Sequence, residues 1–234
     1  MGEMKKEERG SWADPSALGL FGLAIVTLVA CSQKLGITDG TAAVMGWAIF
    51  LGGCAQLIAG LIDLRKNNAF GGTAFIAYGL FWLAMAFGWA TTNGMFGSYA
   101  AETFDPRQTG AAFVAYLILT AFMTIGALRT TKVLFFIFLA IDFLFVGLAL
   151  SAFGVAREAT HMLAAISELV ISLLSFYCAG ANILNNHFGD QFLSLGNPFW
   201  SKKDNCNLTC INSAFSLAIA KESGKARDGR PARP

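Results

Sequence analysis

Val133 to Ala156 reads VLFFIFLAIDFLFVGLALSAFGVA: 24 residues between Lys132 and Arg157, carrying the single charge of Asp142. A helix rises about 1.5 Å per residue, so this stretch covers the roughly 30 Å hydrocarbon core of a bilayer. Working outward from it, the same pattern repeats. Ser16–Gln33, Gly40–Ile62, Asn67–Ala101 and Gln108–Leu128 hold 18, 23, 35 and 21 residues with no charge, and Ala159–Gly189 holds 31 with one, Glu168. Of the 234 residues 55% are apolar and 14% charged, against about 25% charged in a soluble domain. The composition excludes an ordinary soluble protein and predicts an all-α membrane protein with six transmembrane helices, at 16–33, 41–63, 71–91, 109–128, 131–153 and 159–186.

The charges fix an orientation. With six spans both termini share a side, and that side carries 14 of the 17 Lys and Arg, while the opposite loops keep Lys34, Arg107 and Arg157. The positive-inside rule then places both termini in the cytoplasm. The chain divides into a cytoplasmic N-terminal tail (1–13) without a cleavable signal, a six-helix domain (14–189) and a partly disordered cytoplasmic C-terminal tail (190–234). Asn93-Gly94, Gly97 and Asp105-Pro106 are turn chemistry in the one long outside loop. Cys206 and Cys210, four apart in the tail, fit a palmitoylation site. Glycines inside the spans, such as Gly19, Gly22, Gly52, Gly53, Gly60, Gly72 and Gly79, let helices approach closely and favour an oligomeric bundle.

Soluble-enzyme signatures are missing: no phosphate loop, no GxSxG, no cysteines at metal spacing. The basic residues border the membrane without aromatic interleaving, which gives nucleic-acid binding no support. No cofactor is implied. The chemistry lies in polar residues within the spans. Asp142 lies ten residues beyond Lys132 and Glu168 ten beyond Glu158, each about 15 Å deep by helical rise. A carboxyl out of water favours its neutral form, the behaviour a proton carrier needs; the bland alternative is a neutral acid hydrogen-bonded between helices. Glu168, Ser172, Ser175, Ala179 and Asn182 form one polar or small face of the sixth span. On the second, Gln56, Gly60 and Asp63 share a face, with Gln56 at mid-depth and Asp63 marking the border.

These residues resemble a known family. Asp14-Pro15-Ser16-Ala17-Leu18-Gly19-Leu20 is similar to the Asn-Pro-Ala-Pro-Leu-Gly-Leu signature of the acetate transporter family, the succinate–acetate permeases of bacteria and acetate/ammonia-export proteins of fungi. Phe70-Gly71-Gly72-Thr73-Ala74-Phe75 with Tyr78-Gly79-Leu80-Phe81-Trp82 resembles its third-helix block. Gly53-Cys54-Ala55-Gln56, Ala59-Gly60, His161 and Ile183-Leu184-Asn185 extend the likeness from about Asp14 to Gly189. The resemblance implies a homo-hexameric ring in the plasma membrane, each protomer passing acetate or related monocarboxylates, sometimes succinate, with protons. It also implies an apolar constriction of Phe, Tyr and Leu, which falls here on Leu23, Tyr78 and Ile141; the Gln56 amide either bonds a neighbouring helix or meets the substrate as a polar contact. Asp14 and Ala17 depart from the signature, and Asp142 and Glu168 stand where uncharged residues are usual. Two rival readings are a passive channel for acetate or another small solute, and a membrane sensor or scaffold acting through its tail.

Overall fold

The computed structural model describes residues 12–200, and Cys206 and Cys210 lie outside them. Six long helices are found, each long and apolar enough to cross a membrane: α1 (Ser16–Lys34), α2 (Ala42–Arg65), α3 (Ala69–Thr92), α4 (Pro106–Ala127), α5 (Lys132–Ala152) and α6 (Arg157–Phe188). A single turn, Ser98–Glu102, lies in the loop before α4. Their boundaries follow local chemistry. Asn68 caps α3 by accepting from the Gly71 amide at 3.1 Å. Asp105 caps α4 by accepting from the Arg107 amide at 2.9 Å. Pro106 takes the first helical position, where its missing N–H costs nothing, so α4 begins three residues before the sequence expectation. The Arg107 guanidinium beside Asp105 also holds that carboxyl below the usual carboxylate range.

Each helix packs against the next in chain order and α6 packs back on α1, so the six close a ring around an axis. The α3–α4 junction is the sparsest, and hydrogen bonds bridge it: the Tyr116 hydroxyl donates to the Ala77 carbonyl at 2.9 Å, and Tyr78 bonds Thr120 at 2.9 Å. The outward surface is apolar. Phe50, Leu61, Phe87, Ile118, Phe122, Ile125 and Leu173 are each more than half exposed, the reverse of a soluble protein and the surface a bilayer solvates. The chain is an integral membrane protein.

Glycine sets how closely α2 sits on its neighbours. A Cβ at Gly60 would stand 2.9 Å from the Ile76 amide nitrogen and 3.0 Å from the Gly72 carbonyl oxygen on α3. Neither backbone atom can rotate away. Between Ala48 and Ala55, α2 widens into a π-helical segment, for which the apolar pattern carries no signal.

The chain past Gly189 remains packed on the bundle. The Asn185 side chain clasps Leu193 from both sides, donating to its carbonyl at 2.9 Å and accepting from its amide at 2.8 Å. The Leu195 carbonyl accepts from the Val133 amide at 3.2 Å, and the Trp200 amide donates to the Leu128 carbonyl at 2.9 Å. Arg129 and Lys132 then lie over the Trp200 and Phe199 rings at 5.0 and 5.3 Å. Residues 190–200 are thus a strap laid over the α4–α5 turn, although the charge pattern groups them with the tail. Gly60→Ala should lower bundle stability by about 1–3 kcal/mol through overpacking, read as an earlier thermal transition in detergent. Gly46→Ala, with nothing within 4 Å of its Cβ, should leave the transition in place.

Candidate functional site

Two cavities lie toward opposite ends of the ring, with a packed neck between them, the smaller one walled by α3, α4 and α5. The larger, about 440 Å³, opens at the end where α1 begins and α6 ends, and the smaller, about 240 Å³, lies toward the other end. Successive turns of α5 trace the line between them. Leu134, Ile137 and Phe138 border the large cavity, Leu144 and Phe145 the neck, and Leu148, Ser151 and Ala152 the small cavity.

Leu23, Tyr78 and Ile141 come together from α1, α3 and α5. They border both the large cavity and the neck, whose remaining void is about 10 Å³. That is too little for even one carboxylate group, so the neck is shut in this conformation. Its walls are aromatic: Phe145 stacks with Tyr78 at 6.4 Å and Tyr116 at 5.5 Å between ring centroids and meets Phe81 edge-on at 5.3 Å. Thr120 spends its hydroxyl proton on the Tyr116 carbonyl at 2.7 Å, so the Tyr78 hydroxyl donates to Thr120. The neck therefore meets the ring of Tyr78, while its hydroxyl is engaged toward α4.

Polar groups gather in the large cavity. Gln56 is fully buried and neither its Nε2 nor its Oε1 has a partner. An orphaned buried amide costs on the order of 1–3 kcal/mol per group, a cost that a ligand or water in the cavity would offset. Asn68, Asn182, Ser16 and Arg129 border the same space. The signature at the start of α1 frames this end. Asp14 accepts from the Ser16 amide at 3.0 Å and its hydroxyl at 2.7 Å, the arrangement a helix N-terminus favours. Pro15 and Gly19 are buried, a Cβ on Gly19 would run into the Phe75 ring, Leu20 borders the cavity and Leu18 faces outward.

The two acids singled out in the sequence stand apart. Glu168 accepts from Lys34 Nζ at 2.9 and 3.0 Å through its two oxygens, with both side chains largely buried. Lys34 is the last residue of α1, so the pair places Glu168 within a lysine side chain's reach of that helix's end. One turn further in, Ser172 donates to the Ala24 carbonyl at 2.8 Å, and Ser175 is buried without a partner. This face of α6 looks inward against α1. Asp142 instead faces α4, where Oδ2 accepts from Thr124 at 2.6 Å and Oδ1 is buried without a partner. Neither acid borders the neck or either cavity. Asp63, read in the sequence only as a border charge, does border the large cavity, and it is 1% exposed. Among the described residues no cluster of His, Cys, Asp and Glu is arranged to hold a metal ion.

Comparison with known proteins places this geometry. Residues 2–193 match the model of the GPR1/FUN34/yaaH family. The succinate-acetate/proton symporter SatP of Escherichia coli K12 is 31% identical over 185 residues, covering 79% of this chain and 95% of that protein. Acetate permease A of Emericella nidulans is 33% identical over 62% of this chain and 51% of its own length. A solved structure described as the bacterial acetate channel SatP superposes with a TM-score of 0.73 at 30% identity, covering 79% of this chain and 99% of that one. These relatives carry solutes rather than transform them. Six helices in a ring, two cavities and an apolar neck thus belong to a chain that is a member of the GPR1/FUN34/yaaH family, whose acetate permeases and channels it resembles through most of its length.

Proposed function

We propose that the protein carries acetate and related short monocarboxylates, with succinate as a further substrate, through its ring in company with protons. The observation that supports this most is the succession of spaces: a large cavity with a few polar groups on its wall, an apolar aromatic neck and a second cavity beyond it. A carboxylate anion pays heavily to enter such a neck, and joining a proton to it removes the net charge. Gln56, with both amide atoms free, is the polar contact in the large cavity. Leu23, Tyr78 and Ile141 set the width of the opening. In this reading both termini lie in the cytoplasm, the membrane is the plasma membrane and the protomers assemble as a homo-hexamer, which the apolar outer surface and the family suit. A passive acetate channel is the second reading, favoured by the description of the solved relative as a channel.

Voltage separates the two. A potential of about 100 mV is worth about 2.3 kcal/mol per elementary charge. In proteoliposomes, initial uptake net of protein-free vesicles should therefore follow an inward pH gradient and ignore an imposed potential if acetate moves with a proton. Uptake that follows the potential and ignores the pH gradient would establish the channel.

Two sets of variants test the parts. Leu23→Phe adds bulk to the neck, so uptake of substrates larger than acetate should fall more than uptake of acetate. An equal loss across substrates would remove Leu23 from the pathway.

Asp142 and Glu168 are the proton-carrier candidates that the sequence offers, and the burden is heavier on Glu168, which must part from Lys34 to take a proton. Glu168→Gln should cost about 3–5 kcal/mol by stranding the Lys34 charge, and adding Lys34→Met should recover most of that loss. If Glu168 carries the proton, the stable double variant loses its response to the pH gradient. If it keeps that response, the pair is a structural clamp between α1 and α6.

A further inference from the structure

One buried acid has no part in the transport scheme so far. Asp63 sits near the end of α2, 1% exposed, on the wall of the large cavity, and its Oδ2 has no hydrogen-bond partner. The other two acids within the spans differ in position, and Glu168 in pairing as well. Glu168 is tied to Lys34 and Asp142 to Thr124, and neither borders the neck or either cavity. Room for the Asp63 carboxyl comes from α3: a Cβ on Gly71 would collide with it and with the Asn68 amide. The local backbone is already satisfied, the Asp63 carbonyl accepting from the Lys66 and Asn68 amides at 3.0 and 2.9 Å, and the Asn68 side-chain amide is the carboxyl's polar neighbour.

We propose that Asp63 is the proton-binding group of the transport pathway, exchanging its proton with the carboxylate of the substrate inside the large cavity. The proposal rests on the proton-coupled reading. In the forward step the protonated Asp63 gives its proton to the substrate anion, leaving an aspartate carboxylate and a neutral acid that can enter the apolar neck. The aspartate is then reprotonated from water at the cavity mouth. A substrate arriving through the neck as the acid runs the same step in reverse.

The charges around Asp63 suit this exchange. Asp14, before α1, and Lys66, just past α2, are the charged side chains that act on it. Arg129, between α4 and α5, borders the same cavity. The parts of α3 and α6 that border the cavity contribute no charge there, only polar groups such as Asn182. No described cation pairs with Asp63, since the ion pairs among the described residues are Lys34–Glu168 and Arg107–Asp105. A cation can therefore draw the substrate anion into the cavity without locking Asp63 in its charged form. One carboxyl with amide neighbours also offers too few oxygens for a divalent cation, which takes about six to eight.

The test uses the full chain in proteoliposomes, in sodium-free buffer, reading the ratio of initial labelled-acetate uptake with and without an inward pH gradient. Wild type should give a ratio well above one, Asp63→Asn should lower it to near one, and Asp63→Glu should keep most of it. An Asp63→Asn ratio equal to wild type overturns the proposal while leaving the proton-coupled reading standing. A wild-type ratio of one fails that reading itself, and the proposal with it. Folding of the variants need not decide the matter. Dicyclohexylcarbodiimide, an apolar reagent that adds to protonated carboxyls, should label Asp63 in the wild-type protein. The labelled fraction, located by mass spectrometry, should fall when acetate is present and as pH rises. Label confined to Asp142 or Glu168, or label at Asp63 indifferent to both acetate and pH, overturns the assignment.

Discussion

Within hydrocarbon there is no hydrophobic gain from bringing helices together, so their spacing is set by how closely backbones can approach. In this protein that approach is set by glycine along α2. Cβ atoms at Gly52 and Gly53 would strike Trp82 and Leu83, and one at Gly60 would strike the backbone of α3. On the α1 side Gly22 faces the Leu51 carbonyl in the same manner. With α2 drawn tightly between α1 and α3, Leu23 and Tyr78 meet on the axis, and Ile141 on α5 completes the neck.

The neck and the polar groups divide the work of handling a charged solute. The aromatic pile around Phe145 offers no partner for an anion, because the Tyr78 and Tyr116 hydroxyls are already bonded to Thr120 and the Ala77 carbonyl. The large cavity, by contrast, presents a free amide at Gln56 and a free carboxyl oxygen at Asp63. In the proposed pathway desolvation is confined to one short step, with Gln56 and Asp63 both on one side of it.

Much of this architecture is legible in the amino-acid sequence. The six spans follow from the spacing of charges because a charge inside hydrocarbon is expensive, and the helix ends lie within about three residues of the positions that spacing gives, inside the usual tolerance for boundaries. Motif position alone selects Leu23, Tyr78 and Ile141, and they meet at the neck. Other features are not legible, for identifiable reasons. Lys34 reads as a loop charge, since nothing in a sequence couples it to Glu168 across 134 positions. Residues 190–200 read as tail because their anchors are backbone groups of Leu128 and Val133 and the side chain of Asn185, none of which leaves a hydropathy signal. Asp63 reads as a border charge because depth along a helix says nothing about which way the side chain faces.

The π-helical segment from Ala48 to Ala55 has a consequence for the angular phase of α2. A π turn holds more residues than an α turn, so every residue after Ala55 is rotated about the helix axis relative to an uninterrupted α-helix. Gln56 and Asp63, seven residues apart, keep their common face because the helix beyond is regular, but the compass bearing of that face is fixed by the wide segment. Straightening it to pure α geometry would swing both groups off the cavity together, whereas a kink beyond Gln56 would move only one. The wide segment therefore acts as an indexing joint, aligning two polar groups with the axis through a single local change in winding.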